Sequence, residues 1–248
     1  MPLLFKELEE LVTKINDSLG GVYPYAFDLV SIKDIDTISG LINQESNILN
    51  ISKNEADTCL GFFGESAFKQ KYRHLRAIRQ SIHAWQLFHD TVHQHAYTSS
   101  WNDDSEINDD VMCHRMFVCQ NQQEVQALMS VTFSSEEIVL EVLAVRNSCL
   151  KKGIGTACLR FIQGLSNALG YDVVLESATN SMSWYEGFGF CVDVEGRLME
   201  VDEAGYETDF SSMSTTTKDL LEVGFFKWDK GGAWGETCLM RYMPSLKR

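Results

Sequence analysis

The sequence predicts a mixed α/β (α+β) fold in which a mostly antiparallel central sheet is flanked by helices. Three observations predict it. Strand-like runs follow one another closely at Met112–Gln120, Glu124–Ser134 and Ile138–Val145, with Asn121-Gln122 and Ser135-Glu136 where tight connections belong. The third run leads through a glycine loop into a helix whose apolar stripe is Ala157, Cys158, Phe161, Ile162, Leu165 and Leu169. After Gly170, which suits a helix C-terminus, come a strand at Tyr171–Ser177, a short helix around Ser181–Gly187 and a strand at Phe188–Val194.

The other elements are read in order. Leu3, Leu4, Leu8, Leu11, Val12 and Ile15 recur at helical spacing, and Gly20-Gly21 stops that helix. A short strand near Ala26–Ser31 precedes a helix from about Asp34 to Leu49, with Asp34 as its N-cap. A long helical pattern covers about Glu65 to Tyr97 and includes Trp85 and Phe88. An acidic turn-like cluster, Asn102 to Asp110, closes this half. Residues 195–219 are mostly polar and read as an insertion. Leu220–Trp228 and Trp234–Met243 read as the last strands. The expectation is one domain, residues 1–248: a helical N-terminal part (1–100), a core (111–194), the insertion and the closing strands.

Composition narrows the function classes. Of 248 residues, 44% are hydrophobic, enough for a buried core and too many for global disorder. The formal charge is −14, from 35 acidic and 21 basic side chains. That balance argues against nucleic acid or an anionic membrane as partner and suits a cationic acceptor, although acidity also simply favours solubility. Seven cysteines without a C-x-x-C pair fit a reducing cytosol and no structural zinc site. The start of the sequence has no basic region and cleavage site, and no apolar run approaches ~18 residues. A cytoplasmic location is expected.

The glycine loop runs Leu150-Lys151-Lys152-Gly153-Ile154-Gly155. Unpaired N–H groups and the dipole at a helix N-terminus favour an anion, and two lysines stand beside it. Gly-x-Gly also opens the dinucleotide fingerprint, and Glu176 lies ~20 residues on, where a ribose-binding acid would stand. Two features oppose that reading: Arg146–Lys152 separates strand from glycines, and Cys158 occupies the third motif position. Downstream lies Asn180-Ser-Met-Ser-Trp184-Tyr185-Glu186-Gly187-Phe188-Gly189-Phe190.

The order strand, glycine loop, helix, strand, Asn and Tyr resembles the GCN5-related N-acetyltransferase (GNAT) family. The loop is similar to its Arg/Gln-x-x-Gly-x-Gly/Ala motif, with Leu150 where Arg or Gln is usual. Tyr185-Glu186-Gly187-Phe188-Gly189-Phe190 resembles its Tyr-Glu-Lys-x-Gly-Phe signature, with Gly187 in place of Lys. The resemblance covers mainly Val111–Val194. It implies a GNAT fold, here with an extra N-terminal helix and a long helix before the core strands, and an acyl-CoA co-substrate, acetyl-CoA foremost, without a metal. Leu143, Ala144, Val145, Leu150, Lys151, Lys152, Gly153, Ile154, Gly155, Thr156, Asn180 and Tyr185 would line the cofactor.

The implied chemistry is direct attack of an amine on a thioester. An alkyl amine of pKa ~10.4 has roughly one molecule in 2,500 unprotonated at pH 7, a barrier of ~4.6 kcal/mol unless a base takes the proton. Tyr185 is the expected acid for the departing thiolate, because a phenol stays protonated at neutral pH. Its aromatic neighbours also suit plain packing, with Asn180 as a helix cap. Glu141 is the expected base: it is the only charge in Ile138–Val145, alternation places it with Val139, Leu143 and Val145, and apolar neighbours would raise its pKa. The plain alternative is a half-exposed strand glutamate, or one paired with Arg115 or another base. His89, His93 and His95 lack a metal motif.

The functional expectation is therefore an N-acetyltransferase acting on a small-molecule or protein amine. The competing class is a GNAT-fold module that binds acyl-CoA or a partner without turnover.

Overall fold

The computed structural model describes residues 5–31, 34–51, 54, 84–85, 87–90, 113–134, 136–178, 181–194, 197–199 and 237–244. The strands are β1 (Ala26–Leu29), β2 (Cys113–Asn121), β3 (Glu124–Phe133), β4 (Glu137–Val145), β5 (Asp172–Ala178), β6 (Cys191–Val194), β7 (Arg197–Met199) and β8 (Thr237–Tyr242). They form one sheet in the order β1-β2-β3-β4-β5-β8-β6-β7. Every neighbouring pair is antiparallel except β4 with β5. The helices are α1 (Phe5–Leu19), α2 (residues 35–51), α3 (residues 84–85 and 87–90), α4 (Ile154–Leu169) and α5 (Met182–Glu186). This is the mixed, mostly antiparallel, helix-flanked sheet that the sequence predicts.

Each face of the sheet carries its own apolar cluster. On one face Leu8, Val12 and Ile15 of α1 and Ala157, Phe161 and Leu165 of α4 cover Phe27, Phe117, Met129, Val131, Ile138 and Leu140. On the other, Ile38, Ile42 and Leu49 of α2 and Trp85 and Phe88 of α3 cover Met116, Val118, Leu128, Val142 and Ala144. Helix α1 docks closely because Gly164 has no side chain: a Cβ there would stand 3.0 Å from Ile15 Cγ2. The Asn16 amide also satisfies both backbone groups of Phe27, donating to its carbonyl (2.7 Å) and accepting from its N–H (2.8 Å). Edge strand β1 is thereby blunted against further pairing.

The β2–β3 hairpin turns at Gln122-Gln123, one residue later than expected, since Asn121 still pairs with Glu124. Both turn residues have positive φ (49° and 68°), as a two-residue turn matched to the strand twist requires. Gly170 ends α4 in the left-handed conformation (φ 72°), as expected of a terminal glycine. Residues 197–199, read from sequence as part of an insertion, are strand β7. Val192, Asp193 and Val194 pair with Met199, Leu198 and Arg197, so a short apolar stretch joins the sheet within a polar context. The remainder of 195–219, the acidic cluster 102–110, strand 220–228 and most of helix 65–97 lie outside the described residues.

Strands β4 and β5 pair over only three residues, Glu137↔Asp172, Ile138↔Val173 and Val139↔Val174. At this end Arg241 of β8 gathers the carboxylates of three other strands. It donates to Glu137 (2.6 Å) and Asp172 (3.1 Å) through Nη1 and to Asp193 (2.7 Å) through Nε. Asp193 is 3% exposed, so removing the cation strands a buried carboxylate. Arg241→Met is expected to cost about 2–3 kcal/mol, read as a lowered urea midpoint; an unchanged midpoint would show that the network contributes nothing.

Candidate functional site

Beyond Val139, β5 no longer accompanies β4, so from Leu140 to Ala144 that edge of β4 has no strand partner among the described residues. A wedge opens there. Its position coincides with a bulge: Ser130 pairs with Val142 and Val131 with Leu140, which leaves Glu141 as the extra residue. A bulge re-aims side chains and bends its strand. Ile138 and Leu140 accordingly face one cluster, while Val142 and Ala144 face the other.

The bulge corrects the expected neighbours of Glu141. Leu143 and Val145 lie against the α1/α4 cluster, on the opposite face from the Glu141 carboxylate, because the extra residue inverts the alternation. The carboxylate is not among apolar groups. It accepts hydrogen bonds from Thr132 Oγ1 at Oε1 (2.6 Å) and from Ser130 Oγ at Oε2 (3.0 Å). Its basic neighbour is His114 (Nδ1 to Oε2, 3.6 Å) and not Arg115, whose guanidinium lies 5.7 Å from the Phe5 ring centre on the other face. The Glu141 side chain is 25% exposed and so reaches solvent beside the wedge.

After β4 the chain makes a 3₁₀ turn (Asn147–Cys149) and a tight loop into α4. Lys151 (φ 61°) and Gly153 (φ 79°) are both left-handed, a conformation costly for lysine and free for glycine. The first helical bond runs from Ala157 N–H to the Gly153 carbonyl (3.0 Å). The N–H groups of Ile154, Gly155 and Thr156 therefore have no acceptor within the helix. Lys151, Lys152 and Gly153 are exposed and Leu150 half-buried.

Long-range contacts pin this loop at both ends. At its start Glu45 of α2, 2% exposed, accepts from Arg146 Nε (2.8 Å) and from the Asn147 N–H (3.3 Å). At its end the Tyr25 hydroxyl donates to the Lys152 carbonyl (2.9 Å). The Trp85 indole N–H takes the Val145 carbonyl (2.9 Å). Tyr25, Glu45 and Arg146 do not stand out in sequence, because partners about 100 residues apart leave no local pattern.

Helix α5 brings Trp184 over the first turn of α4: a Cβ at Gly155 would sit 3.6 Å from its ring. Tyr185 packs against Trp184 (4.8 Å between ring centres) and edge-on to Phe190 (5.7 Å), so the expected aromatic cluster exists. Among the described residues nothing hydrogen-bonds the Tyr185 hydroxyl, and burial pushes the phenol up to about 12. The Gln163 amide donates to the Phe188 carbonyl (2.6 Å) and fastens this segment to α4. Trp184 thus stands between the Tyr185 ring and the glycine loop. Asn180 lies outside the described residues, as do His93 and His95. His89 contacts Asp90 (3.4 Å), and no three metal-binding side chains gather among the described residues. None of the described helices is long and apolar enough to cross a membrane.

No protein-family model and no curated sequence matches this chain. Among solved structures it is similar to the PaiA N-acetyltransferase of Thermoplasma acidophilum in complex with coenzyme A. The identity is 11%, over 88% of this chain and 98% of that one, with a TM-score of 0.40. At that distance the likeness says nothing about individual residues.

The raised Tyr185 pKa has a stability signature. The folded state holds this proton more tightly than the ordinary phenol value of 10, so the contribution is whole below pH 10 and is lost as pH rises to about 12. Tyr185→Phe is expected to flatten the alkaline fall of the unfolding midpoint over that window, by on the order of 2 kcal/mol. Denaturant titrations at pH 9 and 12 measure it, and an identical fall in both proteins would contradict it.

Proposed function

We propose that this chain is an acyl-CoA-dependent N-acyltransferase that moves an acetyl group from acetyl-CoA to a primary amine by direct attack. The observation that carries the reading is the wedge between β4 and β5, bordered by a bulged glutamate and by unsatisfied amides of a helix N-terminus. The dinucleotide alternative loses support from the same topology, because the strands before the glycine loop form an antiparallel meander.

Each part has a role that its chemistry suits. The amides of Gly153, Ile154, Gly155 and Thr156, with Lys151 and Lys152 beside them, would hold the pyrophosphate; the backbone cradle does not need the polar side chain missing at Leu150. The unaccompanied edge of β4 at Leu143, Ala144 and Val145 would pair with the amides of the pantetheine arm, as an added strand would. Glu141 would take the amine proton, and Tyr185, protonated up to high pH, would give its proton to the thiolate as the C–S bond breaks. The acidity of the chain favours a cationic acceptor. A cytoplasmic setting, where acetyl-CoA is available, completes the proposal.

Saturating acetyl-CoA is expected to raise the thermal midpoint by several degrees; no rise would sink the cofactor assignment. With a panel of primary amines, free CoA thiol should appear for at least one. Binding without thiol release from any amine would make the chain a binding module. Glu141→Gln is expected to lower kcat about 10²-fold or more and to remove the acidic limb of the pH–rate profile, with acetyl-CoA stabilisation retained. An unaltered profile would eliminate Glu141 as base.

A further inference from the structure

We propose that His114 is a positioning residue and proton store that acts through Glu141, connected to it by the Ser130 and Thr132 hydroxyls. The inference rests on Glu141 being the base and adds where its proton goes. His114 is fully buried on β2, on the face of the sheet that carries the Glu141 carboxylate. Its Nδ1 lies 3.3 Å from Thr132 Oγ1 and its Nε2 3.4 Å from Ser130 Oγ. Both hydroxyls in turn donate to Glu141. One imidazole is therefore bridged to one carboxylate by two hydroxyls, with the ring and the carboxylate 3.6 Å apart at their nearest atoms.

A hydroxyl donates one proton and accepts on its lone pairs, so this ring of groups can re-pair as its protonation state changes, with His114 Nε2 receiving no hydroxyl proton at the start. With Glu141 anionic and His114 neutral, both hydroxyls donate to the carboxylate and His114 Nδ1–H donates to Thr132. When Glu141 takes a proton from the ammonium form of an acceptor, an N–H bond breaks and a carboxyl O–H forms. Glu141 then donates to Ser130 Oγ while the Ser130 O–H turns to His114 Nε2. Transfer along that path leaves a carboxylate, an intact Ser130 hydroxyl and an imidazolium. The positive charge lost by the amine now rests on His114, and Glu141 is again a base. In this last state both ring N–H groups face hydroxyl oxygens and both hydroxyls face the carboxylate.

A buried imidazolium costs desolvation, which a carboxylate at this distance offsets. Among the described residues of the packed elements, Arg115 donates to the His114 carbonyl (2.8 Å), and Glu45 of α2 binds Arg146. On α3, His89 and Asp90 contact each other.

The test needs no known acceptor for its first arm. In the full-length chain with ¹⁵N-labelled histidine, assigned through His114→Gln, the His114 ring should titrate. Its midpoint should fall by about one unit in Glu141→Gln, because the anionic partner is lost. An unchanged midpoint overturns the proposal. In the second arm, with acetyl-CoA and an amine of the panel that turns over, Ser130→Ala should lower kcat about tenfold and shift the pH profile. The KM for acetyl-CoA should stay within about twofold, since Ser130 has no part in its binding. If Glu141→Gln abolishes turnover while Ser130→Ala and His114→Gln keep the parental kcat and pH profile, the base assignment survives and the store is wrong. If Glu141→Gln turns over normally, the base assignment itself is wrong and the store falls with it. Should His114→Gln not fold, Ser130→Ala alone decides between the same outcomes.

Discussion

The Arg241 guanidinium holds carboxylates from three other strands, and it does so where β4 and β5 still run together. Parallel pairing over three residues is little to hold two halves of a sheet, and the halves differ in character. On one side is the β1–β4 meander; on the other, β5, β8, β6 and β7. The charged cluster fixes the closed end of the wedge, so the separation further along becomes a fixed shape. Everything assigned to the site depends on this: the open edge of β4, the solvent beside Glu141 and the place of α4.

The loop into α4 is held differently. It has few regular backbone bonds of its own, and two of its residues are left-handed. Contacts from α2 and from the segment before β1 supply what the loop lacks, through Glu45 at one end and Tyr25 at the other. Both come from the helical N-terminal part, which also supplies helices to both faces of the sheet. The helices that precede the meander are therefore part of the scaffold for the amides at the start of α4. A site that must leave donors unsatisfied requires its rigidity from elsewhere.

Much of this was legible in the sequence. The strand runs, the stripe of α4, Gly170 and the order of glycine loop and Tyr185 are local patterns of period, punctuation and spacing. The bulge was not legible, because Ile138 to Val145 is apolar on both faces apart from Glu141; a strand buried on both sides hides a slip of one residue. That slip gave Glu141 the wrong expected company. His114, Ser130 and Thr132 escaped for another reason: each is unremarkable on its own strand, and they meet only across the ladder. Arg241 and its three carboxylates come from four strands and follow the same rule.

The bulge at Glu141 also has a bearing on how the molecule comes apart. Since β4 changes faces there, its fully buried residues lie in one apolar layer before the bulge (Ile138, Leu140) and in the other after it (Val142, Ala144). Neither layer can loosen without dragging on the strand that the other layer grips. The two faces are thereby mechanically coupled through a single residue, which makes for one cooperative unit in hydrogen exchange and no independently melting half. A strand so tethered also keeps its exposed edge in place.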